Sequence, residues 1–131
     1  MPLAVQLVSP ERILFEGEAE MVVCRPVDGE IAFLAGHVPY LGALRDDPVR
    51  ILMAGGAETA IAVHGGFVEV SNDHVVVLSD LAELKEDIDV ARAERAKQAA
   101  EETLARDADD LEAQAALARA ETRLKVAGVT S

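Results

Sequence analysis

The sequence predicts two structural units in series, a β-sandwich or barrel followed by an antiparallel pair of helices. All 5 Pro, all 3 Phe and 8 of the 9 Gly precede Leu84, and the chain beyond it is rich in Ala, Glu and Arg. Short apolar runs between turn residues are typical of strands, whereas long runs without Gly or Pro are typical of helices. We therefore predict a β unit over residues 1 to 84 and a helical unit over residues 85 to 131.

The first unit contains eight strand-length runs separated by turn chemistry. Asp28-Gly29 and Gly55-Gly56 are hairpin-type dipeptides, and Asn72-Asp73 tolerates the left-handed backbone of a tight reversal. Strands that recur about every 8 to 12 residues are typical of sandwiches and barrels. The runs are Ala4 to Val8, Ile13 to Phe15, Met21 to Arg25, Ile31 to Leu34, Val49 to Met53, Thr59 to Val63, Phe67 to Val70 and His74 to Leu78.

The second unit reads as two helices of similar length. Glu86, Asp87 and Asp89 suit the positive end of a helix dipole, and a first helix is predicted from Val90 to Ala105. Its narrow apolar stripe consists of Ala93, Ala96, Ala100 and Leu104.

A polar turn with Asp109 or Asp110 as N-cap leads to a second helix from Leu111 to Val126, which ends at Gly128. Its stripe consists of Ala113, Leu117, Ala120 and Leu124. Because an alanine seam buries little area, we expect the hairpin alone to be marginally stable and able to dock or detach.

Composition limits the kinds of partner. The net charge is −12, only 3% of residues are aromatic and there is no Trp. Such a surface repels phosphate backbones and lacks stacking platforms, so nucleic acid is not an expected partner. Residues 1 to 84 hold 13 acidic and 4 basic side chains, against 11 and 8 in residues 85 to 131. The excess acid on the β unit favours a protein partner with basic patches.

Cysteine usage and the apolar segments limit the location. Cys24 is the only cysteine, so an intrachain disulfide is impossible and a buried thiol is expected. The N-terminus lacks the basic and apolar regions of a secretory signal. The longest uncharged stretch, Ile31 to Leu44, has 14 residues, whereas a membrane span needs about 20.

No catalytic site or metal site is predicted. His37, His64 and His74, together with Cys24, lack zinc-ligand spacing, and the histidines are interpreted as ordinary turn or edge residues. No phosphate-binding GxxxxGK[ST] loop or nucleophile elbow is present. One polar pair stands out: Glu30 ends a hairpin turn and His37 lies in a Gly-His-Val-Pro loop, and we expect both near one end of the sandwich.

The chain resembles the epsilon subunit of the F-type ATP synthase. The resemblance covers nearly the whole length, and its motifs occur in the family's order. They are Leu7-Val8-Ser9-Pro10-Glu11, Asp28-Gly29-Glu30-Ile31, Gly36-His37-Val38-Pro39, Gly65-Gly66-Phe67-Val68-Glu69-Val70 and Arg123-Leu124-Lys125-Val126-Ala127. It implies an N-terminal ten-stranded β-sandwich followed by a C-terminal antiparallel α-helical hairpin.

The resemblance also implies a function, that of a non-catalytic rotor subunit of the central stalk. The sandwich would bind the gamma subunit and the c-ring, with Glu30 and His37 at the ring end. Contact with the cytoplasmic face of a bacterial membrane would run only through the ring. An extended arm would place Arg119, Arg123 and Lys125 against acidic segments of the catalytic beta and alpha subunits and inhibit hydrolysis. The alternative is a generic sandwich adaptor whose helical arm joins other proteins.

ATP is an expected regulatory ligand, although no cofactor is required. The segment from Ile88 to Ala93 resembles the family's ATP-binding pattern, and Glu83 falls where the family has a further contact to the base. The residues are Glu83, Ile88, Asp89, Arg92, Ala93, Arg119 and Arg123. Asp89 would accept a hydrogen bond from the nucleoside, and the guanidinium groups would bind phosphates when the hairpin is folded. The alternative is a dipole role for Asp89 and ordinary pairing of the arginines with Glu94 or Glu121.

Overall fold

The computed structural model describes residues 2–128, which form ten strands and two α-helices. Single-turn 3-10 helices lie at Ala54–Gly56 and Lys85–Asp87. The strands and helices are β1 (Leu3–Val8), β2 (Ile13–Ala19), β3 (Met21–Cys24), β4 (Ile31–Leu34), β5 (Tyr40–Leu44), β6 (Asp47–Leu52), β7 (Glu58–Val63), β8 (Gly66–Ser71), β9 (His74–Leu78), β10 (Ala82–Leu84), α1 (Val90–Arg106) and α2 (Leu111–Ala127).

The strands form two five-stranded sheets that pack face to face. The first sheet has the order β2-β1-β9-β8-β5 and the second has the order β10-β7-β6-β3-β4. Strands β1 and β9 pair in parallel, and the other described pairs are antiparallel. The predicted fold class, a ten-stranded sandwich followed by an antiparallel helical hairpin, is confirmed.

The sandwich core lies between the sheets and consists of alternate residues of most strands. Phe33, Leu3, Leu7, Ile51 and Ile61 are its largest fully buried side chains. Strands with this alternation bury one face each, which fixes the register because a slip of one residue would expose the apolar set. Cys24 also lies in this core. Burial, with a contribution from Asp47, raises the pKa of its thiol to about 12, so it stays protonated at neutral pH.

Both helices begin and end close to the predicted residues. Asp89 is the N-cap of α1, and its side chain accepts a hydrogen bond from the Arg92 N–H at 3.1 Å. Asp110, rather than Asp109, caps α2 by accepting from the Ala113 N–H at 2.9 Å. Gly128 ends α2 in the left-handed conformation, with φ 84°. Local capping chemistry therefore sets the ends of the arm.

The arm packs on the outer face of the second sheet through α2, which contacts β6 and β7. Ile61 and Val63 of β7 face the sandwich core, so Ala62 between them faces outward, yet it is fully buried. On α2 the buried residues include Thr122 and Val126, which lie outside the predicted alanine stripe. One side of α2 therefore faces α1 and another side covers the sandwich.

Candidate functional site

Three side chains from three elements meet where the arm covers the second sheet. The Arg123 Nε of α2 donates to Glu83 Oε1 of β10 at 2.6 Å, and Nε2 of His64, directly after β7, lies 2.9 Å from the same oxygen. The His64 side chain is only 3% exposed, against 22% for Glu83 and 26% for Arg123. We call these three residues the arm-docking cluster. It links the arm to the sandwich by a charge-assisted hydrogen bond in a partly buried position.

The electrostatics of the arm-docking cluster fix its protonation. Burial alone would raise the pKa of Glu83, but the hydrogen bonds from Arg123 and His64 outweigh it and hold the pKa below the ordinary value of 4.5. Burial lowers the pKa of His64 from 6.5, and the hydrogen bond to Glu83 opposes this only in part. At neutral pH the cluster therefore holds a carboxylate, a guanidinium and a neutral imidazole. Since an ionised carboxylate only accepts, His64 donates through Nε2.

A second, more exposed link lies at the end of the arm. Lys125 of α2 donates to Asp47 Oδ1 of β6 at 3.3 Å, and Arg25 lies 3.9 Å from the other carboxylate oxygen. The Lys125 side chain is 60% exposed, so water screens this pair more than the arm-docking cluster. Of the three residues predicted to make inhibitory contacts, Arg123 and Lys125 are therefore engaged by the sandwich when the arm is docked.

The residues predicted to bind nucleotide divide between the first turn of α1 and the second half of α2. Ala100 and Ala113 line one groove between the helices, so the antiparallel arrangement brings the start of α1 beside the end of α2. This places the Ile88 to Ala93 segment on the side of the hairpin that holds Arg119 and Arg123. The two halves of the predicted nucleotide site therefore lie at the same end of the hairpin.

Within that site the groups differ in how they are engaged. Asp89 uses Oδ1 as the α1 cap, and Ala93 is buried at 2% exposure. Arg92 is exposed and Arg119 half-buried, and neither has an acidic partner within 4.0 Å among residues 2–128. Arg123 binds Glu83 instead of the acid on its own helix, so the alternative that paired it with Glu121 is wrong. Two guanidinium groups thus remain available, and the third is held by Glu83.

The structure contradicts the expected location of Glu30 and His37 near one end of the sandwich. Glu30 precedes β4 and His37 follows it, and a four-residue strand separates its ends by roughly 10 Å. Glu30 lies beside Asp47, where β6 begins, whereas the Gly36 N–H donates to Asp73 in the β8–β9 turn at the opposite end. The His37 ring packs edge-on against Phe33 at a centroid distance of 4.8 Å. The sequence already carried this information, because Glu30 and His37 flank the predicted strand Ile31 to Leu34.

The outer face of the first sheet carries exposed apolar side chains at neighbouring register positions. Phe67 is 56% exposed and pairs with Leu78, which is 51% exposed; Leu41 on the adjacent strand is 70% exposed. Glu69 lies two residues after Phe67 on the same face of β8 and pairs with Leu41. Adjacent exposed apolar residues of this kind often mark a protein interface. We call Leu41, Phe67 and Leu78 the apolar patch.

Sequence reasoning missed two members of the docking contacts, His64 and Asp47. His64 was interpreted as an ordinary turn or edge histidine, yet it contacts Glu83 beneath the arm. A signal was present, because Ala60 and Ala62 at the outward positions of β7 make the strand apolar on both faces up to His64, which is typical of strands covered on both sides. Asp47 gave no such signal, since surface strands often begin with an acid.

The described residues also bear on metal binding and on membrane spanning. Across residues 2–128, no three or more His, Cys, Asp or Glu residues are grouped so that they could hold a metal ion. In the same part of the chain, neither helix has the length and apolar character to cross a membrane.

The fold is a β-sandwich with an apolar patch on one sheet and a helical arm packed against the other. Family models agree with both parts. The model described as ATP synthase, Delta/Epsilon chain, beta-sandwich domain matches residues 2–85, and the model for the long alpha-helix domain of the same chain matches residues 86–128. The chain belongs to the delta/epsilon chain family of ATP synthase, and the resemblance in its motifs is confirmed.

Curated relatives agree over nearly the whole length. The ATP synthase epsilon chain of Shouchella clausii is 43% identical and covers 95% of this chain and 94% of its own. The chain of the same name in Thermobifida fusca is 46% identical, with coverages of 95% and 91%. A chain in the Euglena gracilis mitochondrial ATP synthase structure, which contains OSCP, F1 and the c-ring, has a TM-score of 0.82 over 96% of this chain and 81% of its own. At 21% identity, this last likeness shows the fold alone.

Proposed function

We propose that this chain is the epsilon-type rotor subunit of the central stalk in a bacterial F-type ATP synthase, a non-catalytic accessory subunit. The observation that carries the proposal is the match of both parts, in order, to one family over residues 2–128. In this role the sandwich couples the c-ring to the gamma subunit, and the arm regulates hydrolysis by the catalytic beta and alpha subunits. The chain then lies on the cytoplasmic face of the bacterial membrane and reaches it only through the ring.

The apolar patch is the proposed gamma-binding surface. The arm covers the opposite sheet, so the apolar patch is free to bind a partner. Each Å² of apolar surface buried there would contribute about 25 cal/mol to binding. Co-purification of gamma with the tagged chain tests the proposal. Phe67→Asp should abolish capture, because it places a charge in the patch, whereas Glu69→Gln should retain it. Failure of gamma to co-purify with the unmodified chain would favour the generic adaptor that joins other proteins.

Glu30 is the proposed contact with the polar loops of the c-ring. It is exposed, so its replacement should leave the fold intact. Glu30→Lys should weaken ATP-driven proton pumping in reconstituted vesicles. Glu20→Lys makes the same charge change at another exposed acid, next to the end of β6, and serves as the control. Equal pumping by the wild type and Glu30→Lys would remove Glu30 from the ring contact.

Inhibition is proposed to require release of the arm. Arg123 and Lys125 are bound to the sandwich in the docked state and become available to acidic segments of the catalytic subunits only when their ion pairs open. Arg119 would join them on the same helix. Truncation after Leu84 should therefore leave a gamma-binding sandwich and raise the ATPase rate of the complex. Equal ATPase rates with full-length and truncated chains would show that this arm does not inhibit.

ATP is proposed to stabilise the folded arm. Arg92 and Arg119 lie at the same end of the hairpin as Asp89, and this supports the proposal, since a ligand favours the state that brings its contacts together. Calorimetry on the isolated chain should show one site, abolished in Arg92→Ala and weakened in Arg123→Ala. Arg95→Ala, an exposed arginine on the same helix, is the control. Absence of heat at millimolar ATP would leave these arginines as helix surface.

A further inference from the structure

His64 occupies a position that suits only one of its protonation states. It follows Val63 at the end of β7. Its backbone N–H donates to the Leu81 carbonyl at 2.9 Å, which fixes the residue beside the segment that leads into β10. Its Nε2 reaches Glu83, but Nδ1 is buried and has no hydrogen-bond partner among the described residues. A neutral ring with the proton on Nε2 leaves an uncharged acceptor unsatisfied there, whereas a protonated ring would leave a charged donor.

We propose that His64 makes docking of the arm on the sandwich pH-sensitive, so that protonation of its imidazole favours release of the arm. The docking equilibrium belongs to the isolated chain, and only its consequence for ATP hydrolysis rests on the proposed function. In that setting a fall in cytoplasmic pH would shift the arm from the sandwich towards the catalytic subunits.

The charged groups around His64 come from three elements, and they act in opposite directions. Glu83 of β10 and Asp46, in the connection before β6, favour the imidazolium, whereas Arg123 of α2 disfavours it. Protonation would also turn Nδ1 into a buried charged donor without an acceptor, which is less favourable than an unsatisfied neutral group. Arg123 and the imidazolium would moreover share a single carboxylate oxygen, Oε1 of Glu83. Burial and Arg123 outweigh the two acids, so the docked state favours the neutral ring.

Release of the arm removes the two effects that lower the pKa of His64, which are burial and the nearby charge of Arg123. The side chain of His64 points outward with Ala62, on the face that α2 covers, so undocking exposes the ring to water. The pKa then returns towards its ordinary value of 6.5. The released state binds more protons, so docking is strongest above pH 6.5 and weakens as the pH falls from 6.5 towards the lower docked-state pKa. For one proton the docking constant changes by at most about tenfold per pH unit.

NMR on the full chain tests the proposal in two ways. The His64 ring should titrate below 6.5, and the exchange protection of α2 amides should fall between pH 7.5 and pH 5.5, after correction for intrinsic exchange rates, while sandwich amides keep theirs. His64→Gln keeps a side-chain N–H donor without a titrating ring, so its arm should lose this pH dependence. His74→Gln replaces an exposed histidine and should retain it.

Either of two results would overturn the proposal. One is a His64 ring in the wild-type chain that titrates at or above 6.5, a measurement that needs no variant to fold. The other is an α2 protection profile with the same pH dependence in His64→Gln and in the wild type. Neither result bears on gamma binding, so failure here is distinguishable from failure of the rotor assignment.

Discussion

The sandwich and the arm are built from different side chains, and the difference explains why one is a scaffold and the other can move. The sandwich core contains Phe33 and a set of Leu, Ile and Val side chains with essentially no exposure. The seam between the helices contains Ala93, Ala100, Ala113 and Ala120. A large aliphatic side chain gains about 1.5–3 kcal/mol on burial and an alanine much less, so the arm depends on its contacts with the sandwich.

The largest expected effect falls on the sandwich, at Gly66. Its φ is +125°, and a Cβ there would lie 2.1 Å from the Leu78 carbonyl oxygen on the neighbouring strand. Gly66→Ala should therefore lower the free energy of unfolding by about 3 kcal/mol or more, measured by urea denaturation. Gly55→Ala also has a positive φ but meets nothing within 4 Å, so it should cost only about 1–2 kcal/mol. Equal losses in the two variants would contradict the close approach.

A smaller effect should be confined to the arm. Leu124 is 4% exposed near the end of α2, and Leu124→Ala should destabilise the arm by about 2–3 kcal/mol. The loss should appear in the exchange protection of α1 and α2 amides, with little change in the sandwich. Leu111→Ala is the matched control, because Leu111 is 77% exposed. A comparable loss of protection in β7 and β8 would show that the two parts unfold together.

The arm-docking cluster should contribute less than Leu124 but should depend on pH. Glu83→Gln keeps the shape and removes the charge that binds Arg123, so we expect docking to weaken by about 1–2 kcal/mol at pH 7. The lowered pKa of Glu83 means that its contribution is present above 4.5 and is lost as the pH falls through the lowered value. Lys125→Ala, at a 60% exposed pair, should change docking by about 0.5 kcal/mol or less. Exchange protection of α2 amides measures docking in both variants. Equal losses in Glu83→Gln and Lys125→Ala would contradict the difference in burial between the two pairs.

Local signals in the sequence predicted most of the fold. Turn dipeptides and apolar runs marked eight strands, and Asp89 and Gly128 marked helix ends that the structure confirms. Two strands were not among those runs, β5 and β10. Gly42 interrupts the apolar pattern of Tyr40–Leu44, and Ala82–Leu84 is only three residues long, so pairing with neighbours decides both.

The contacts between the two parts could not be read from local pattern. Glu83 was identified as a polar contact through the resemblance, but its partners lie 19 and 40 residues away in the chain. The separation of Glu30 from His37, in contrast, follows from the predicted strand Ile31 to Leu34 that lies between them. The domain boundary after Leu84 and the roles of the site residues remain predictions.

Native-state hydrogen exchange on the full chain, followed residue by residue at increasing urea, tests the difference between the two parts most directly. The account predicts that α1 and α2 amides exchange through an opening of lower free energy than amides of β1, β7, β8 and β9, and that Leu124→Ala widens this difference. The arm would then open while the sandwich stays folded. The account would be contradicted if the arm and the sandwich opened with the same free energy, both in the wild type and in Leu124→Ala.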